Sequence, residues 1–493
     1  MDARGILRSG LLLFVLLLLP SCGGGGGGGG GGNAPSAEIV YVLEKNATGS
    51  GQVEYFAMNP SNGSFYSGSS TLSTGGLVPV SLVADPSNDY LYVLNNNTSG
   101  TSSNGSVTSF SAASYGTSST VISNSVATGL NPVNMAVDPK GGYLVVADHG
   151  SGTTTGGGDV KVFPLSGGKL GNPSTWSSSC PNPFRVVFAP GAAGTTSDGV
   201  VVVCSSPELV AAGTTTGVPP IEVYSCTLED LIKNIACGTA IYSNTSSTSS
   251  AITAFAFDPS GTVAAAPQVT GSGSSAGGLL LICGYSSGHY NCPSNNTNGS
   301  ANSWFTTESV AFFTGTAGEE AYAGNYNPTS YPASSNGSFF HNSNEMAYCY
   351  TSSSFSQLIN STSCNILSMA SNGSSIGDPY DFFVSGNYLY IVVTGAPLSG
   401  PYLTAGPTAG SSPPAGYLLS CAIGSTSCSG KPTGPGPVSV STDPQTGNYL
   451  FVPSVSGTIS VFSGATTGIL TPLTPIQASS GYAALSVVAL TPP

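Results

Sequence analysis

The side chains with the widest chemical reach in this chain are few and far apart: Arg185, Asp381 and His149. A guanidinium presents a planar fork of donors that suits a carboxylate, a phosphate or a tetrahedral oxyanion. A carboxylate or an imidazole can take the proton of an attacking water. Arg185 is the only arginine beyond residue 21, so anion-directed chemistry would centre on it. Each also has a plainer reading, that of Asp381 being the ion-pair partner of Arg185. An arginine held inside a fold is more often paired or clamped on backbone carbonyls, and a lone histidine beside a Gly-rich loop is expected to be solvated. His289 and His341 carry no assignment.

Other apparent motifs dissolve on inspection. Gly-x-Ser-x-Gly occurs around Ser275, Ser286 and Ser375, but no amphipathic helix follows to build the strand-turn-helix elbow that gives the pattern meaning. Gly167-Gly168-Lys169 lacks the spacing and hydroxyl of a phosphate loop. Asn62-Gly63-Ser64, Asn104-Gly105-Ser106 and Asn372-Gly373-Ser374 read as turn chemistry. The CxxC spacing and clustered histidines of a metal site are missing, no Asp-rich calcium loop is present, and no cofactor is expected.

The elements that must position the three candidates repeat. An apolar strand ends near Asp-Pro, a turn follows, and a second strand is built on Tyr-Leu-Tyr-Val or a variant of it. First strands are expected at Pro79 to Asp85, Pro132 to Asp138, Pro183 to Ala189, Ile252 to Asp258, Glu308 to Phe313, Pro379 to Val384, Pro437 to Asp443 and Tyr482 to Val488. Repetition at this period with short strands predicts an all-β propeller of four-stranded antiparallel blades. The direct count is eight blades; seven is the alternative if the repeat around Ile252 to Ala266 is split or merged. The first repeat opens at Ile39 with a second strand, and Tyr482 to Val488 is a first strand without a successor. Joining them closes the ring and removes exposed edges. Equivalent first-strand positions hold Ser81, Asn134, Arg185, Ser309, Asp381 and Ser439. Strand alternation turns them all to one side, toward a central funnel.

Asp85-Pro86 followed by Tyr90-Leu91-Tyr92-Val93-Leu94-Asn95, and Asp138-Pro139-Lys140-Gly141-Gly142-Tyr143-Leu144-Val145-Val146-Ala147-Asp148, resemble YVTN-type propellers. That group includes the lactonase-like propellers related to 6-phosphogluconolactonase. The resemblance covers Ile39 to Val488 in rhythm. It implies a propeller, usually seven-bladed, and a lactone hydrolase in which Arg185 polarises the carbonyl while His149 or Asp381 activates water.

The N-terminus predicts export. Arg4 and Arg8 precede the apolar stretch Leu11 to Leu19, too short to span a membrane. Leu19-Pro20-Ser21-Cys22 resembles a bacterial lipobox, giving a signal peptide over 1–21, a lipidated Cys22 with a Gly-rich tether over 22–37, and a propeller over 38–493. Gly23 is not the Asp of an inner-membrane retention signal, so the expected address is the outer membrane or cell surface. Of the 11 cysteines, setting Cys22 aside leaves an even number. Short spacings pair Cys226 with Cys237, Cys283 with Cys292, Cys349 with Cys364 and Cys421 with Cys428, each stapling neighbouring strands. Cys180 and Cys204 pair by elimination.

Charged residues make up only 6% of the chain, against about 25% in an ordinary soluble domain. Loss of residues 1–21 removes Arg4, Arg8 and Asp2, leaving 7 basic and 21 acidic residues and a net charge of −14. Nucleic acid and anionic lipid surfaces are poor partners because both require a basic face. Two function classes remain. A surface-tethered binding or scaffold module, recognising a glycan or an envelope protein, fits the lipid, the tether and the scarcity of catalytic groups. A lactonase-like hydrolase fits the family rhythm.

Overall fold

The structure is a computed structural model, and it describes residues 37–97, 104–113, 118–150, 157–177, 180–189, 199–205, 220–244, 250–252, 254–258, 261, 263–270, 277–286, 289–291, 310–315, 318–324, 345–351, 364–368, 378–394, 416–423 and 428–491. They lie in one compact unit, Ser36–Pro493. Among the described residues the strands form eight antiparallel sheets of four or five strands. Blade 1 takes its first strand from the C-terminus, Tyr482–Leu490, followed by Glu38–Asn46, Ser50–Met58 and Phe65–Leu77, and blades 2 to 8 follow in chain order with first strands beginning at Pro79, Pro132, Pro183, Ser250, Val310, Asp378 and Ser441. Ile39 faces Leu490 and Asn46 faces Tyr482 across that junction, so the ring closes as the repeats require. The weak repeat is a full blade with its first strand broken into Ser250–Ile252 and Ala256–Phe257.

Turn chemistry explains why Asp recurs. The Asp85 carboxylate accepts a bond from the Tyr90 N–H at 2.8 Å, and Asp443 repeats it with Tyr449 at 2.6 Å. Asp258 does the same for Val263 at 2.6 Å. Each Asp thus closes the hairpin that starts the next strand. The glycine pair Gly167 and Gly168 makes a two-residue hairpin with φ of 54° and 71°, and a Cβ on Gly168 would meet the Tyr90 ring at 2.2 Å.

Second strands read as continuous apolar runs because each blade is covered on both faces. Leu144 and Val146 pack toward blade 2 with Tyr92 and Leu94, whereas Val145 and Ala147 pack toward blade 4 with Val186 and Val200. The closing seam has its own core, Val40 and Val42 against Tyr449, Phe451 and Ile459. The third-strand Phe positions, Phe110, Phe163 and Phe462, are fully buried.

Among the described residues three disulfides have both partners in view: Cys180–Cys204, Cys226–Cys237 and Cys421–Cys428. Cys283 is disulfide-bonded as well, while its expected partner Cys292 lies outside the described residues. Cys349 and Cys364 stand at directly opposed backbone positions in blade 6. One expectation is corrected. Cys226 and Cys237 do not staple two strands, because the helix Leu228–Lys233 lies between them. Thr227 caps it: the Asp230 N–H donates to Thr227 Oγ1, and the Thr227 N–H returns a bond to Asp230 Oδ2. Disulfides at these positions mark an exported chain folded in an oxidising compartment. No helix among the described residues is long and apolar enough to cross a membrane. Cys22 lies outside the described residues.

Candidate functional site on the inner strands

The first strands of successive blades lie side by side around the ring. Four of them carry a proline at or next to their start, and the register slips by one residue before the candidate polar position: Pro79 to Ser81, Pro132 to Asn134, Pro183 to Arg185 and Pro379 to Asp381. In blade 8 the register also slips between the Pro437–Ser454 bridge and the Ser441–Phe451 pair, a span that contains Ser439. A β-bulge leaves one residue unpaired and re-aims its neighbour. The same bulge therefore sets five of the six candidates. Ser309 lies outside the described residues.

What the side chains do there is partly architectural. Asn134 Oδ1 accepts from the Val186 N–H at 2.9 Å, and Asp381 Oδ2 accepts from the Val440 N–H at 3.0 Å. In both, the polar residue of one blade binds the backbone one position beyond its counterpart in the next blade. Arg185 is half-buried, with its guanidinium carbon 5.5 Å from the Phe184 ring centroid. Phe184 in turn meets the His149 ring edge-on at 6.4 Å. Ser81 and Ser439 are half-buried.

His149 departs from the sequence reading. It is buried, not solvated, and its Nε2 lies 3.0 Å from the Ser205 carbonyl oxygen of the next blade. A carbonyl can only accept, so Nε2 carries the proton and donates. Burial pushes its pKa down to about 4, partly offset by that bond, which keeps the ring neutral at pH 7. Ser205 continues the relay, donating through Oγ to the Ile252 carbonyl and accepting from the Ile252 N–H. Asn96 holds the equivalent place in blade 2 and donates to Asn131 Oδ1 at 2.6 Å.

Two acid pairs escaped the sequence reading. Asp148 and Asp159 face each other across the second and third strands of blade 3. Burial first, and then the Asp159 carboxylate, hold the Asp148 carboxyl well above its ordinary range. Oδ1 of each is buried without a hydrogen-bond partner among the described residues. In blade 1, burial and the neighbouring Glu54 raise Glu44 to about 8, against the opposing bond from Gln52. The available signal was register: Asp148 and Asp159 flank one Gly-rich loop. Among the described residues no group of three or more His, Cys, Asp or Glu could hold a metal ion.

Ring, bulged inner strands and disulfides define an exported all-β propeller similar to lactonase-type propellers. Residues 39–185 match the family described as "Lactonase, 7-bladed beta-propeller", so the resemblance read from the repeats holds on that segment, while the described residues form eight sheets. Among solved structures, the periplasmic gluconolactonase PpgL of Pseudomonas aeruginosa is similar with TM-score 0.52 and 13% identity, covering 93% of this chain and 100% of that one. Apo AztD from Citrobacter koseri is similar with TM-score 0.50 and 11% identity, covering 92% and 98%. Sqt1 from Chaetomium thermophilum matches with TM-score 0.50 and 12% identity, over 81% and 87%. At such identities the likeness is one of fold alone. Nothing among curated proteins matches the chain.

Proposed function

We propose that this is a lactone hydrolase whose site is the bulged inner-strand position of Arg185, exported and held at the outer membrane or cell surface by lipid on Cys22. The observation that carries the reading is Arg185 itself: the one arginine of the exported chain, half-buried, on an inner strand and packed over Phe184. A lactonase-family match reaches over this part of the chain. The guanidinium stabilises the oxyanion formed when water adds to the lactone carbonyl carbon. Asp381, which accepts from the Val440 N–H through Oδ2, is assigned as the base that takes the water proton. Collapse of the adduct breaks the carbonyl-carbon to ring-oxygen bond; the ring oxygen takes up a proton, and the product is a hydroxy acid. His149 is not assigned as the base, because its ring, Nδ1 included, is buried away from solvent. Acid release from sugar and aliphatic lactones, beside an Arg185→Ala control, tests the reading.

A second reading has its own support. Asn134 and Asp381 act as acceptors between blades and His149 is buried, which suits a disulfide-stiffened module that binds a glycan or envelope protein without turning it over. Lactone binding without acid release would favour it.

A further inference from the structure

Blade 1 and blade 8 enclose a concavity on the outer side of the closing seam. It has a volume of about 550 Å³ and lies between the turn at residues 59–64, the start of strand Phe65–Leu77 and residues 473–477. That volume is in the range of small-molecule sites. The turn is fixed: Ser64 donates through N–H and Oγ to Asn62 Oδ1 at 2.9 and 2.7 Å. Gly63, with φ of 70°, sits so close to blade 8 that a Cβ would meet the Tyr449 ring at 2.5 Å.

The lining combines aromatic rings with uncharged polar groups and contains no Lys, Arg, His, Asp or Glu. Phe65 stands edge-on to Phe56 at 6.3 Å, and Tyr66 adjoins them. Ser69 donates its hydroxyl proton to Glu54 Oε1 at 2.5 Å, which leaves its oxygen to accept from the groove. Gln477 has its carbonyl engaged by Thr458 Oγ1 at 3.3 Å, which leaves its amide nitrogen to donate. An ionic ligand would have no counter-charge here. A wholly apolar one would strip water from these hydroxyl and amide groups without replacing their bonds. The remaining match is a ring with an apolar C–H face and flanking hydroxyls that both donate and accept. We infer that this seam groove binds an uncharged saccharide unit, stacked on Tyr66 and bonded by Ser69 and Gln477. The site is independent of Arg185.

The test is titration calorimetry of the purified protein with chitotetraose, cellotetraose and maltotetraose, repeated on Tyr66→Ala, Gln477→Ala and Arg185→Ala. Saturable binding of at least one sugar is expected, weakened at least tenfold in Tyr66→Ala and in Gln477→Ala and unchanged in Arg185→Ala. Gln477 is exposed, so its truncation leaves the fold intact, which the melting temperature verifies. No binding of any of the three sugars overturns the inference. So does binding that both groove variants retain, or equal binding of an uncharged Gly-Ser tetrapeptide.

Discussion

Asp381 Oδ2 accepts a 3.0 Å hydrogen bond from the backbone N–H of Val440, 59 residues further along the chain and in the next blade. Asn134 makes the same bond to Val186 at 2.9 Å, across 52 residues. A propeller has no strand pairing between blades, so such bonds fix the relative height of neighbouring sheets where apolar packing, being non-directional, does not. At Asp381 one side chain thus has two separable duties: it holds the next blade through Oδ2, and its carboxylate is assigned to the water proton.

Substitutions separate these duties. Asp381→Ala removes the acceptor and leaves the Val440 N–H unsatisfied, a loss of about 1–3 kcal/mol visible as a lower denaturation midpoint. Asp381→Asn keeps a side-chain oxygen for Val440 but cannot act as a base. It is expected to retain most of the midpoint while acid release falls by about 10²–10⁴-fold. Equal midpoints for the Ala variant and the native chain would contradict the latch.

His149 makes the fold acid-sensitive. Its pKa of about 4 in the folded chain lies below the unfolded value of 6.5. The unfolded chain therefore gains a proton first as pH falls, and stability present above pH 6.5 is lost between 6.5 and 4. The span corresponds to about 3 kcal/mol as an order of magnitude. Melting curves at pH 7.5 and 4.5 should show a smaller acid-induced loss in His149→Asn, which can still donate toward Ser205 but does not titrate.

The closing seam responds to pH in the opposite direction. Glu38 is raised to about 7 by burial first and then by Asp443, and Glu44 to about 8 by burial and Glu54. Both lie above the ordinary 4.5, so the stability they contribute is fully present below pH 4.5 and declines as pH rises through 7 to 8. Glu44→Gln places an amide donor beside Glu54 and removes the titrating group. Its melting temperature should exceed that of the native chain at pH 9 and converge with it at pH 5.

Disulfide loss should scale with the loop each bond closes. The chain-entropy model gives about 2.5 kcal/mol for the sequence separation of 7 at Cys421–Cys428 and about 3.5 kcal/mol for the separation of 24 at Cys180–Cys204. Paired Cys→Ser variants, compared by denaturation midpoint, check that order.

The rhythm of the fold was legible because its determinants are local. Asp85, Asp258 and Asp443 each close a turn within six residues, and the second strands are apolar throughout because both faces are covered. Register slips were not legible: the alternation of Pro79-Val80-Ser81 looks regular, and only pairing with Asn95 and Leu94 reveals the bulge. The environment of His149 was hidden for a different reason. Its neighbours in sequence are Gly-rich loop, whereas its bond reaches Ser205, 56 residues away. Likewise, the Cys226 and Cys237 spacing gave no sign of the short helix between them, because Thr227 and Asp230 cap it in an otherwise strand-forming sequence.

The most direct test of the account is steady-state acid release from aldonolactones and aliphatic lactones by the native chain, Arg185→Lys and Arg185→Ala. The account predicts turnover by the native chain, partial loss with Lys, which keeps the charge but not the fork, and a fall of about 10²–10³-fold in kcat with Ala. Turnover that survives Arg185→Ala, or no turnover by the native chain on any lactone, would contradict it.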